Sequence, residues 1–168
     1  MIRALRAFGR GLLWIPRRYG FVPPILWAAL IFYGSSHPAP SIAAPGITGA
    51  VIENCGHAVE YGIFAALLAL CARRTAAWIV LDRATLGWIV AVIVLYAASD
   101  EWHQSFVPHR DASVYDVITD VVGGVSTLAC IDALGERRDA RRFTLRFALG
   151  FAASLAAGVL ATIEPWGL

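Results

Sequence analysis

Residues 99–124 read SDEWHQSFVPHRDASVYDVITDVVGG, and they join the end of one apolar run, about 85–102, to the first part of another, about 113–131. At helical pitch Asp100 shares a face with His103 and Gln104, next to Glu101, and Asp116 shares a face with Asp120. Pro108 and the His109-Arg110-Asp111 turn separate the two sets. The pattern predicts a helical hairpin: two apolar helices whose adjoining ends each carry a polar face.

Working outward, the rest of the chain demands the same environment. Of its 168 residues 58% are hydrophobic and only 15% are charged, with a mean hydropathy of +0.64. A water-soluble domain carries about a quarter charged residues, so this chain lacks the polar surface for a soluble globule. Five apolar segments stand out, at about 21–36, 57–72, 85–102, 113–131 and 147–163. Each falls short of the roughly 20 residues that cross a bilayer unaided. Interfacial Tyr19, Trp78, Tyr115 and Trp166 are placed to extend them. Gly123 and Gly124 would admit a neighbouring helix. The expected fold is all-α: a polytopic membrane bundle of four to five short transmembrane helices.

An interfacial helix is expected ahead of the bundle. In residues 1–18, Arg3, Arg6, Arg10 and Arg17 fall on one side and Leu5, Phe8, Leu12 and Ile15 on the other. The competing reading is a signal peptide cleaved near Ala43 or Ala44, against which the length and order of the basic stretch count. The expected organisation is therefore 1–18 amphipathic, 19–132 a transmembrane core, and 133–168 a basic loop with an additional C-terminal span. Cys55, Cys71 and Cys130 are odd in number and lack CxxC spacing, so they read as small apolar residues.

Orientation follows from the arginines, since lysine is absent. Thirteen of the fourteen lie before the first segment, between the second and third (Arg73, Arg74, Arg83), or between the fourth and fifth (Arg137 to Arg146). The positive-inside rule assigns all three regions to the cytoplasm. The expectation is a multi-pass protein of the cell membrane with its N-terminus cytoplasmic. The opposite loops hold only Arg110.

On this topology the ionisable residues gather toward the outer face. His57, Glu60 and Tyr61 begin the second span, Asp100 to Gln104 end the third, and Asp116, Thr119 and Asp120 begin the fourth. A carboxylate near the bilayer centre costs roughly 2.5–3.5 kcal/mol, less toward the interface. Glu60, Asp100, Asp116 and Asp120 must therefore face one another, water, a metal or Arg110. An outward-opening polar pocket meets that demand; a purely structural hydrogen-bonded lock between helices is the alternative. Catalytic candidates are His57, Glu60, Asp100, His103 and Asp116. Ligand-binding candidates are Arg110, Glu101, Gln104 and Asp120. Asp100, His103, Asp116 and Asp120 are candidates for a divalent metal, the one cofactor the residues suggest.

At these positions the sequence resembles the VanZ-like family of bacterial membrane proteins. In 99–124, Asp100, Glu101, His103, Gln104, Pro108, Arg110, Asp116 and Gly124 fit the family's pattern. ENCGHAVEY at 53–61 is similar to the segment opening its second span, and FYGSSHP at 32–38 to the end of its first. Asp120 stands where the family usually has Asn, and Glu53-Asn54 where it has Asp-Lys. The resemblance covers about 21–131 and implies a cell-envelope protein associated with low-level resistance to the glycopeptide teicoplanin, without a reaction attached.

Three functions fit. The first is an envelope protein that binds a lipid-linked or amphiphilic ligand, with Arg110 on an anionic headgroup. The second is a membrane-embedded hydrolase or transferase using a metal or a His–carboxylate pair. The third is a structural protein. The chain lacks a G-x-S-x-G elbow, an H-E-x-x-H helix and a Walker loop. Arginines lining a membrane face argue against nucleic acid as a partner.

Overall fold

Helices account for nearly all of the regular structure. The computed structural model describes residues 2–37, 47–75, 78–108, 110, 112–135 and 140–163. The helices are α1 (Ile2–Leu12), α2 (Val22–Ser35), α3 (Ile47–Leu68), α4 (Arg83–Gln104), α5 (Val114–Gly135) and α6 (Ala140–Ile163), and the described residues contain no strand. The protein is an all-α bundle. Pro23 and Pro24 fall in the first turn of α2, where a missing N–H leaves no helical bond unmade. Asp82 caps α4, its side chain accepting from the Thr85 N–H at 2.8 Å.

Four of these helices, over Thr48–Cys71, Arg83–Gln104, Val114–Gly135 and Ala140–Ile163, are long and apolar enough to cross a membrane. A 22-residue helix rises about 33 Å, against about 30 Å of hydrocarbon. α2 has 14 residues and rises only about 21 Å. The largest departure from the sequence expectation is α3, which begins ten residues before His57 instead of at it. Glu53 and Asn54, ahead of the expected start, lie inside the helix. The helix runs through them because their neighbours supply partners: the Asn54 amide donates to the Thr162 hydroxyl of α6 at 2.9 Å.

α3, α5 and α6 pack closely on one another, α4 lies along α5, and α2 rests on α3 and α4. The core between them holds Ile31, Tyr61, Phe64, Ile89, Ile93 and Leu128. Outward, Ile25, Leu26 and Leu30 of α2, Leu95 of α4, and Leu149 and Phe151 of α6 stay more than half exposed, the apolar surface a bilayer would cover.

Small residues set the spacing. Gly123 of α5 lies against the Ala58 backbone of α3, Gly62 against Thr127, and Gly158 of α6 against Cys55.

The arginine-bearing segments meet at one end of this bundle. Arg74 donates to the carbonyls of Leu13, Ile15 and Leu70. Trp78, buried, donates its indole N–H to the Ile131 carbonyl at 2.9 Å and lies under the Arg6 guanidinium of α1. Arg146 pairs with Asp132, and Arg73 with Asp82. α1 therefore docks on the bundle through Arg6 and Gly9, while Leu5 and Phe8 remain exposed. That arrangement suits a helix lying in the membrane interface.

Candidate functional site

The other end of the bundle collects the carboxylates. Asp100 and Glu101 are consecutive on α4, so they project about 100° apart and reach different neighbours. Asp100 faces α2: its Oδ1 accepts from the Ser35 hydroxyl at 2.7 Å and its Oδ2 from the Gln104 amide at 2.9 Å. Glu101 faces the α5 side: Oε2 accepts from the Ser113 N–H at 2.9 Å and Oε1 from Gln104 at 3.1 Å. Gln104 thus bridges two buried acids with one amide group.

Asp120 lies six residues into α5, about 9 Å along its axis, and is almost wholly buried at 1% exposure. Its Oδ1 is 3.3 Å from Nδ1 of His57 on α3, an ion-pair distance once the imidazole is protonated. The alignment falls short of a hydrogen bond, and that oxygen has no hydrogen-bond partner. The pair exists because Gly123, three residues after Asp120, lets α5 touch α3 at Ala58, the residue after His57. Ligand atoms of His57, Glu101 and Asp120 all lie within 4.8 Å of one another. One helix supplies each.

His103 turns away from this cluster. Its ring stacks on Phe32 at 4.5 Å between centroids, and its Nε2 is 3.0 Å from the Ser36 hydroxyl. Asp100 and His103 therefore join α4 to α2, while Glu101 and Asp120 face α3. Asp116 lies one turn before Asp120, half-buried. Glu60 is half-buried one turn after His57, and its backbone carbonyl accepts from the Trp27 indole at 3.1 Å. Tyr61, on the same face of α3 as His57, is buried with no hydrogen-bond partner on its hydroxyl.

Arg110 reaches back to α2, donating from Nε to the His37 carbonyl at 2.9 Å and from Nη2 to the Gly34 carbonyl at 2.8 Å. These carbonyls end a helix, where a cation is favoured. The neighbouring His109 and Asp111, read from the sequence as part of the outer loop, lie outside the described residues.

Between α2 and α4 runs a groove of about 400 Å³ lined by Phe32, Tyr96, Ser99, Asp100, Trp102, His103 and Phe106. Trp102 and Phe106 are both 70% exposed and meet edge to face. The groove opens on the exposed flank of the bundle, with its polar groups near the end of α4.

Sequence reasoning did not find Ser35, Ser36 and Ser113, whose hydroxyl or backbone groups hold Asp100, His103 and Glu101. Serines beside a helix end carry no mark that separates a partner of a buried acid from an ordinary turn residue.

A model of the VanZ/LLP1 family matches residues 21–134. No curated protein and no solved structure matches the chain.

Proposed function

Because this chain belongs to the VanZ/LLP1 family and is a multi-pass membrane protein, we propose that it binds an amphiphilic or lipid-linked envelope molecule at the carboxylate-rich end of its bundle. The observation that carries this reading is the groove between α2 and α4. Aromatic walls open to lipid lead to Asp100 and His103, a combination suited to an acyl chain with a polar head. Its volume lies within the range of small-molecule sites, about 300–1,000 Å³. Arg110, fixed on the end of α2 by two of its five donors, stands close by to meet an anionic headgroup.

The arginine-rich end faces the cytoplasm in this reading, with the N-terminus, and the groove opens toward the outer leaflet. There the protein would engage a lipid-linked wall intermediate or the lipophilic tail of a glycopeptide, and so contribute to low-level resistance of the teicoplanin type. The test is drug susceptibility of a bacterium expressing wild type, Trp102→Ala or Arg110→Ala at equal protein level. Wild type raises the tolerated concentration and both variants lose the gain. Equal protection by all three would sink the proposal.

A second reading, a membrane-embedded hydrolase or transferase acting on an envelope lipid, draws on the cluster of His57, Glu101 and Asp120. Headgroup release from lipid vesicles by purified protein, lost in Asp120→Asn, is its test.

A further inference from the structure

Two acids and an imidazole converge from three helices among packed side chains. Glu101 is 5% exposed and Asp120 1%. Two buried carboxylates opposite one half-buried imidazole leave an excess of negative charge where the dielectric is low. Burial of that kind is paid for only by a partner of opposite charge or by a proton. Among the described residues the guanidinium near this end, that of Arg110, donates to carbonyls of α2 instead.

We propose that His57, Glu101 and Asp120 form a binding site for a first-row divalent metal ion, Mn²⁺ or Zn²⁺. The donor set is right for both: one nitrogen and two carboxylates, of intermediate hardness. The spacing is close to what a metal needs. Ligand atoms about 2.1 Å from a tetrahedral ion lie about 3.4 Å apart. His57 Nδ1 and Asp120 Oδ1 already stand at 3.3 Å, and all three ligand atoms fall within 4.8 Å. A small side-chain adjustment brings all three onto one ion.

Two further observations point to a cation instead of a simple ion pair. The Asp120 Oδ1 is buried, directed at His57, and accepts no hydrogen bond. A buried carboxylate oxygen in that state normally costs stability, and an ion placed between it and the imidazole removes the cost. Glu101, in turn, is held on both oxygens, by the Gln104 amide and the Ser113 N–H. Such bonds leave further lone pairs open and fix the direction of the carboxylate, the usual job of groups around a metal's ligands. Three protein ligands leave a coordination position vacant, and His57 is the partly exposed member of the set, at 22%.

This site shares no residue with the aromatic walls of the groove, so the two proposals fail separately. Full-length protein is purified in detergent, stripped with a chelator, and titrated with Mn²⁺ while the signal of free Mn²⁺ is followed by electron paramagnetic resonance. Binding to wild type saturates at one ion per chain and raises the unfolding temperature. His57→Ala and Asp120→Asn lose saturable binding. Gln104→Ala keeps it with affinity roughly 10–100-fold weaker. Leu149→Ala, on the exposed face of α6, binds as wild type does. A Cys55, Cys71 and Cys130 triple alanine variant retains the site, which separates it from thiol coordination when Zn²⁺ is used.

If Asp120→Asn does not fold, Glu101→Gln takes its place in the titration. A folded wild type that leaves free Mn²⁺ unchanged and gains no thermal stability from Mn²⁺ or Zn²⁺ overturns the proposal. So does a folded Asp120→Asn that binds as tightly as wild type.

Discussion

A Cβ placed on Gly123 would lie 2.1 Å from the carbonyl oxygen of Ala58, so α5 touches the backbone of α3 with no room for a side chain. The contact lies one residue past His57 on α3 and three past Asp120 on α5, the two residues it aligns. Helix association in a bilayer rests on such close packing, since lipid tails are as apolar as leucine.

Gly123→Ala is therefore expected to force α3 and α5 apart, because the obstructing atoms are backbone and cannot rotate away. Overpacking of this kind costs about 1–3 kcal/mol or more. Thermal unfolding in detergent should show a clear drop. Gly56→Ala is the matched control: its Cβ would meet nothing within 4 Å, and it should be neutral or gain from helix propensity. Equal unfolding temperatures for Gly123→Ala and wild type would refute the close contact.

Much of this arrangement is legible in the sequence, and the limit is physical. Composition and the arginine blocks indicate a membrane bundle, and the segments bearing those blocks do pack together through Arg74 and Trp78. Helical spacing also brings the acids of 99–124 to one end. Spacing within a helix does not say which neighbour each face meets. Asp100 and Glu101 look alike in sequence, yet one meets Ser35 and the other the cluster with His57. That division depends on how α2 and α5 flank α4, which no local pattern encodes. The start of α3 escapes for a related reason: Glu53 and Asn54 are polar residues ahead of the apolar run at 57–72, and the hydroxyl of α6 that Asn54 meets is not visible in local sequence.

Ser35 tests the joint between α2 and α4. Its hydroxyl is the α2 partner of the buried Asp100 carboxylate. Removing a partner from a buried acceptor costs about 1–3 kcal/mol. Ser35→Ala should lower the unfolding temperature, while Ser99→Ala should change it little, since that exposed hydroxyl bonds only the carbonyl three residues before it. The two variants unfolding alike would show that the Ser35–Asp100 bond adds nothing to the joint.

Trp78 is the corresponding anchor at the arginine-rich end. Its ring fits against Gly9 of α1 and Gly135 of α5, where added Cβ atoms would come within 2.5 and 2.6 Å of it. Trp78→Ala should cost about 3–5 kcal/mol and release α1. Amide exchange over residues 2–12 should then become much faster while that over α5 changes less. Unaltered protection of α1 would mean that Arg74 and the bilayer hold it without the tryptophan.

Asp82 gives a prediction in pH. The Thr85 N–H and hydroxyl, followed by the Arg73 guanidinium, hold its carboxyl down to about 2 from an ordinary 3.8. A group depressed in the folded state contributes stability that is full above its ordinary value and is lost as the pH falls through the folded one. The contribution of Asp82 should thus be constant above about pH 5 and fade between about 4 and 2. Because the group is exposed and solvent-screened, the amplitude is small, and a matched variant is needed to see it. Asp82→Asn keeps a capping oxygen for Thr85 and removes the negative charge that faces Arg73. The unfolding temperature of wild type should exceed that of Asp82→Asn at neutral pH, and the two curves should converge as the pH approaches 2. A gap that stays constant across that range would assign the effect to cap geometry alone, and the link between Asp82 and Arg73 would carry no stability.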